Sequence, residues 1–170
     1  MTTLVAAIAA DLISDTVAAA AAGPMAAFAP LVGSWDLCYV HHRGSGERID
    51  GTGYVRFGWG LQGLAIVDIW AFDGAAVVGT TIRFYDPKID GFRSTWICPA
   101  RNVLLPFVGR VIDERIVLDA TLADPPGRRV RWAFVSIEAE RFSWTGEISD
   151  DGGTTWLRTQ EIEGTRRPAG

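Results

Sequence analysis

Histidine and cysteine are scarce in this chain, and their scarcity excludes several classes of site. The only histidines are His41 and His42. Neighbouring strand residues point to opposite faces, so this pair is poorly arranged to share a metal ion. The two cysteines, Cys38 and Cys98, lie in apolar runs without a CxxC partner. This favours two buried, reduced thiols over a disulfide. We expect no metal site and no resident cofactor.

The chain also lacks a concentrated positive charge. Its formal net charge is −4, and Lys88 is its single lysine. The arginines are scattered rather than gathered into a stripe, so we expect neither nucleic acid nor a membrane as partner. No run is long and apolar enough to span a bilayer. Residues 1–22 lack the basic start of a secretory signal, and Asp11 and Asp15 interrupt them. We therefore predict a cytoplasmic protein.

Sequence motifs of the common catalytic machineries are missing as well. There is no Gly-x-Ser-x-Gly elbow, no phosphate-binding loop and no dinucleotide fingerprint. The segment Ser149–Trp156 resembles the Asp-box turn of sialidase propellers. A propeller repeats that box in every blade, however, and a single copy predicts one hairpin turn and no sialidase activity.

The first residues of the chain carry a helical pattern. Apolar side chains recur there at helical spacing: Leu4, Val5, Ile8, Leu12 and Ile13. Gly23-Pro24 ends the pattern. We predict a helical extension over residues 1–27, followed by one domain over residues 28–165. The helix, or a face of that domain, is a candidate surface for forming a homodimer.

After Pro30 the apolar period changes from helical to two, which indicates strands. Ten are predicted: Trp35–His42, Gly53–Trp59, Leu64–Phe72, Val77–Tyr85, Phe92–Ile97, Val103–Val111, Arg115–Leu122, Val130–Ile137, Phe142–Ser149 and Thr155–Ile162. The connectors are short and rich in Asp, Pro and Gly, leaving no room for crossover helices. The prediction is an all-β fold, an antiparallel up-and-down barrel of about 8–10 strands that closes on itself.

The start of the first long strand carries a recognisable motif. Gly33-Ser34-Trp35 follows a short helical segment and resembles the Gly-x-Trp signature of the calycin superfamily. The order of later segments, such as Phe84-Tyr85-Asp86-Pro87, is similar to that of bacterial lipocalin-like proteins. The resemblance implies that Trp35 closes one end of the barrel and that Arg158, in the last strand, packs over its indole. Nitrobindin-like members of this group bind haem through a late histidine, and no histidine follows His42 here.

Several polar and aromatic residues in the strands are candidates for the barrel lumen. If Trp35 points inward, the period of two sends Leu37, Tyr39 and His41 inward too. The full predicted ligand-binding set is Leu37, Tyr39, His41, Trp70, Arg83, Tyr85, Trp96, Trp132 and Trp144. Seven tryptophans and eight phenylalanines are many for 170 residues, and such side chains either fill a small barrel or line a cavity in it.

Three functions are compatible with such a barrel. The first is binding of a small apolar or aromatic molecule in the lumen. The second is a cofactor-free cyclase or isomerase that orients a folded substrate, with Tyr39, His41 and Asp68 as candidate catalytic residues. An unpaired Asp68 or Glu147 inside the lumen would favour this second function. The third is a filled barrel that serves as an interaction or dimerisation domain.

Overall fold

A computed structural model describes residues 3–4, 8–9, 12–74 and 78–168, and within them ten long strands close into a barrel. A two-residue strand, β1, precedes them at Ile13–Ser14. The barrel strands are β2 Gly33–His42, β3 Arg48–Gly60, β4 Ala65–Phe72, β5 Val78–Asp86, β6 Gly91–Cys98, β7 Val103–Ile112, β8 Arg115–Thr121, β9 Arg129–Ile137, β10 Arg141–Ser149 and β11 Leu157–Arg166. All ten predicted strands are present, with ends that differ from the predicted ones by up to five residues. Val77, the predicted start of β5, lies outside the described residues.

Every barrel strand pairs antiparallel with its neighbours in the chain, and β11 pairs with β2 to close the ring. The connectors have the predicted turn chemistry. Asp113 and Glu114, which join β7 to β8, have φ values of 49° and 64°, as a two-residue turn between right-twisted strands requires. The result is a meander whose long strands are paired on both sides.

The N-terminal segment differs from the single helix that its apolar pattern predicts. Val5 lies outside the described residues, while Leu4, Ile8 and Leu12 are helical and exposed. The prediction is wrong at Ile13, because Ile13–Ser14 is a strand that pairs with Gly60 and Trp59 of β3. Helix α1 covers only Ala19–Ala22, and a 3-10 helix follows at Ala26–Leu31. Homodimer formation through this segment stays a prediction.

Burial alternates along most strands, but β5 turns its polar face inward. Thr81 and Arg83 are both 1% exposed, whereas the neighbouring Phe84 is 46% exposed. One cysteine prediction is also wrong. Both thiols are free, but Cys38 is exposed on β2 and only Cys98 is buried. Within the described residues, no helix has the length and apolarity needed to cross a membrane.

Trp35 closes one end of the barrel, as the motif predicts. Its indole is fully buried, and Nε1 donates a hydrogen bond to the carbonyl of Leu31 at 2.7 Å. Phe28, also fully buried, packs there with its ring centroid 4.9 Å from that of Phe92. We call this the closed end.

The arginine over the Trp35 indole is Arg166, so the assignment to Arg158 is wrong. The Arg166 guanidinium lies 4.1 Å from the ring centre and donates to the carbonyl of Val32 at 2.9 Å. Arg166 pairs directly with Trp35 in the β11–β2 register, because β11 runs four residues beyond its predicted end at Ile162. Arg158 instead forms an ion pair with Glu147 at 3.1 Å.

These two arginines give a matched prediction. Arg166→Gln is expected to lower the free energy of unfolding by about 2–3 kcal/mol, since it removes charge-assisted hydrogen bonds and a cation–π contact. Arg158→Gln should cost less than about 1 kcal/mol, because the Arg158 side chain is 47% exposed and its single ion pair is weakened by solvent. Urea denaturation of both variants checks this. Equal losses would contradict the role given to Arg166.

Candidate functional site

The barrel encloses a cavity of about 460 Å³ that opens opposite the closed end. We call this opening the mouth; it lies where β2 ends at His42 and β6 ends at Cys98. The cavity is lined by Tyr39, His41, Arg43, Ile49, Trp70, Phe72, Gly74, Thr81, Arg83, Trp96, Cys98, Arg101, Trp132, Trp144, Gln160 and Ile162. Its volume is in the range of sites for one small molecule.

Four tryptophans form a continuous aromatic wall in this cavity. Ring centroids lie 5.8 Å apart for Trp96 and Trp132, 5.5 Å for Trp132 and Trp144, and 6.2 Å for Trp70 and Trp144. The first two contacts are edge-to-face, a preferred arrangement of aromatic rings, and the third is tilted. The wall therefore offers a large, ordered apolar surface.

Two glycines in the strands leave space for aromatic rings of the cavity, those of Trp96 and Tyr39. A Cβ at Gly79 would overlap the far edge of the Trp96 indole, and a Cβ at Gly51 would overlap the Tyr39 ring. With a larger residue at either position, the ring would have to move. Glycines inside strands, where they weaken pairing, were thus an overlooked sign of close aromatic packing in the lumen.

A buried ion pair lies next to the cavity. Arg83 Nη1 donates to the Asp68 carboxylate, and the backbone N–H of Thr81 donates to the same carboxylate at 2.8 Å. Both side chains of the ion pair are at most 2% exposed. Among the residues that the structure describes, three polar atoms near this pair are buried without a hydrogen-bond partner: Thr81 Oγ1, Arg83 Nε and Ser94 Oγ.

Cationic and polar residues line the mouth. His41 and Arg43 come from the end of β2 and the loop after it, Arg101 from the loop after β6, and Gln160 from β11. Burial lowers the pKa of His41, and the positive charges of Arg101 and Arg43 lower it further. The imidazole is therefore in a positive electrostatic environment.

The structure brings most of the predicted lumen residues together. Seven of them line the cavity: Tyr39, His41, Trp70, Arg83, Trp96, Trp132 and Trp144. Two do not. Leu37 is buried in the core beyond the cavity, and the hydroxyl of Tyr85 donates to Asp90 at 2.7 Å in the β5–β6 turn, at the closed end.

Of the candidate catalytic residues, Tyr39 and His41 reach the cavity, whereas the carboxylate of Asp68 is held by Arg83. Glu147 is paired with Arg158 and does not line the cavity. Sequence reasoning missed the mouth residues Arg43, Arg101 and Gln160. Within the described residues there is no group of three or more histidine, cysteine and acidic side chains suited to a metal ion.

The Asp-box-like segment forms the hairpin between β10 and β11. Hydrogen bonds from Thr155 and Ser149 hold the pKa of Asp151 well below its usual range. The indole of Trp156 donates to the carbonyl of Gly153 at 3.0 Å, and the guanidinium of Arg131 lies 4.1 Å from its ring centre. These contacts give the segment a structural role as a turn.

Comparison with known proteins identifies the fold. No family model matches the chain, and neither does any curated protein. Rv2717c from M. tuberculosis has a similar structure, with a TM-score of 0.58 and 13% identity over 86% of this chain and 98% of that one. The chain is a lipocalin-like barrel. The S-type phycobiliprotein lyase CPES from Guillardia theta is similar too, with a TM-score of 0.57 and 11% identity over 84% and 92%.

At such low sequence identities, structural similarity establishes the fold and does not establish a function. The lipocalin-like barrel predicted from Gly33-Ser34-Trp35 and the meander is confirmed. The resemblance to bacterial lipocalin-like proteins in particular stays a prediction.

Proposed function

We propose that this protein binds one small apolar or aromatic molecule in the lumen of its lipocalin-like barrel. The observation that carries the proposal is the open cavity of about 460 Å³ walled by Trp70, Trp96, Trp132 and Trp144. Apolar pockets of this size with a few polar groups are the usual form of small-molecule sites. The similarity to a phycobiliprotein lyase is consistent with a barrel that handles a small molecule.

Binding is better supported than catalysis by a lumen carboxylate. Asp68 is already engaged by Arg83 and by the Thr81 backbone N–H. Each of its two oxygens therefore already accepts a hydrogen bond from the protein, and Asp68 is not among the residues that line the cavity. Glu147 lies outside the cavity. A cyclase or isomerase would have to rely on Tyr39 and His41.

A filled barrel acting only as an interaction domain has less support, because much of the lumen is open. Cavities in well-packed cores are small, since each void forfeits dispersion contacts. An empty cavity lined by large aromatic rings lowers the free energy of unfolding unless a bound molecule fills it. A ligand that contacts those rings would recover that loss.

The test is titration with N-phenyl-1-naphthylamine, a neutral aromatic probe that fluoresces in apolar sites. We expect saturable binding to the wild type at a ratio of one to one. Ile162 is buried on β11 between Tyr39 and Trp144. Ile162→Trp should fill the cavity and weaken binding by about tenfold or more, which corresponds to about 1.4 kcal/mol.

Leu157→Trp is the matched control, because Leu157 is 58% exposed at the start of the same strand and does not line the cavity. It should leave the affinity unchanged. Thermal unfolding establishes that both variants are folded. Absence of probe binding to the wild type, or equal binding to Ile162→Trp, would refute a lumen site.

A further inference from the structure

We propose that the ligand is an amphipathic anion, whose apolar body lies against the tryptophans and whose acidic group lies at the mouth between Arg101, Arg43 and His41. This inference rests on the proposed function and specifies the class of molecule. It begins from the charges around the cavity, which differ sharply from those of the whole chain.

The cavity is positively charged within a negatively charged protein. The chain carries a net charge of −4. The side chains that line the cavity nevertheless include three arginines and a histidine, and, among the described residues, no aspartate or glutamate. Arg83 is neutralised by Asp68 beside the lumen. The positive charge that remains is therefore at the mouth.

Among the cations at the mouth, Arg101 is the one available to bind an anionic ligand. It forms no ion pair with any residue that the structure describes, and it lies in the short 3-10 helix Pro99–Arg101. In the described part of the chain, the Arg43 side chain pairs only with the exposed Glu47, at 3.2 Å, and such a pair is worth little in water. Both guanidiniums influence His41, since their charges contribute to lowering its pKa. All three side chains line the cavity and come from the segments at its mouth.

An anionic group fits this region better than a neutral or cationic one. Arginine binds acidic groups through paired N–H donors that reach two oxygens of the same group. A carboxylate or sulfonate at the mouth would relieve the mutual repulsion of Arg101, Arg43 and any charged form of His41. Attached to an aromatic or aliphatic body, it would keep its own charge close to solvent while the body fills the apolar cavity.

The test compares two probes that share one ring system. N-phenyl-1-naphthylamine is neutral, and 8-anilinonaphthalene-1-sulfonate adds a single sulfonate. We expect the wild type to bind the sulfonate about tenfold more tightly than the neutral probe. In Arg101→Gln combined with Arg43→Gln, the ratio of the two affinities should fall to about one.

Arg110→Gln is the matched control. Arg110 is an exposed arginine on β7, and its guanidinium donates a hydrogen bond to the carbonyl of Ile89 near the closed end. Like Arg101→Gln alone, it removes one positive charge, but it does so far from the mouth. It should leave the ratio unchanged, whereas Arg101→Gln should lower it. A ratio that falls equally in Arg110→Gln would mean that the sulfonate responds only to the net charge, and would overturn the inference.

A second readout is the His41 pKa, measured by NMR titration with and without each probe. The sulfonate should raise this pKa because an adjacent anion favours the imidazolium form, and the neutral probe should not. If the neutral probe binds while the sulfonate binds no more tightly, the inference fails and the lumen site stands. If neither probe binds, the proposed function is wrong and the inference falls with it.

Discussion

Asp68→Ala is expected to lower the free energy of unfolding by about 3–5 kcal/mol, which is enough to leave a domain of this size barely folded. The reason is that Arg83, the partner of Asp68, stays buried in the variant. Arg83 is 1% exposed, and its guanidinium donates to the Asp68 carboxylate. Without that carboxylate, a charge stays buried with no counterion, and the Thr81 backbone N–H loses its acceptor.

The matched variant removes both charges. Asp68→Leu combined with Arg83→Met replaces the pair by apolar side chains, and we expect it to be far less destabilising than Asp68→Ala alone. Guanidinium denaturation of Asp68→Leu, Arg83→Met and the double variant gives the coupling energy. Additive losses, or an Asp68→Ala variant as stable as the wild type, would contradict a tightly coupled buried pair.

Trp35→Ala should destabilise the barrel by about 3–5 kcal/mol, since it empties a fully buried site at the closed end. It removes the edge-to-face contact with Phe142 at 5.0 Å, the hydrogen bond to Leu31 and the surface beneath Arg166. Trp35→Phe keeps a ring there but lacks the N–H donor, so we expect a smaller loss of about 1–2 kcal/mol.

The effect on binding distinguishes the two ends of the barrel. Trp35 does not line the cavity, so Trp35→Ala should bind N-phenyl-1-naphthylamine with nearly wild-type affinity at a temperature where it is folded. Measuring affinity and thermal stability on the same samples checks this. A folded Trp35→Ala protein that had lost binding would show that the closed end takes part in the site.

Local chemistry explains why the strands and their turns were predictable. A period of two and turns such as Asp113-Glu114 depend only on neighbouring residues. The arginine over Trp35 was not predictable in the same way. The pairing of Arg166 with Trp35 joins strands at opposite ends of the chain, and only the register of barrel closure selects Arg166 instead of Arg158.

The candidate site was predictable where it follows strand alternation and not where it depends on long-range contacts. Tyr39 and His41 face the lumen because they share the period of Trp35. Arg83 was predicted to face the lumen, but its ion pair with Asp68 was not, because that pair depends on the register between β4 and β5. The mouth cations Arg43 and Arg101 come from separate loops, and no local pattern brings those loops together.

The most direct test of a ligand-binding lumen uses the seven tryptophans as reporters. Trp70, Trp96, Trp132 and Trp144 line the cavity, whereas Trp35, Trp59 and Trp156 do not. Indole ¹H–¹⁵N NMR signals, assigned by single Trp→Phe variants, are followed during titration with N-phenyl-1-naphthylamine. We predict large shifts for the four cavity indoles and small ones for the other three. Shifts spread evenly over all seven, or confined to Trp35, Trp59 and Trp156, would contradict a binding site in the lumen.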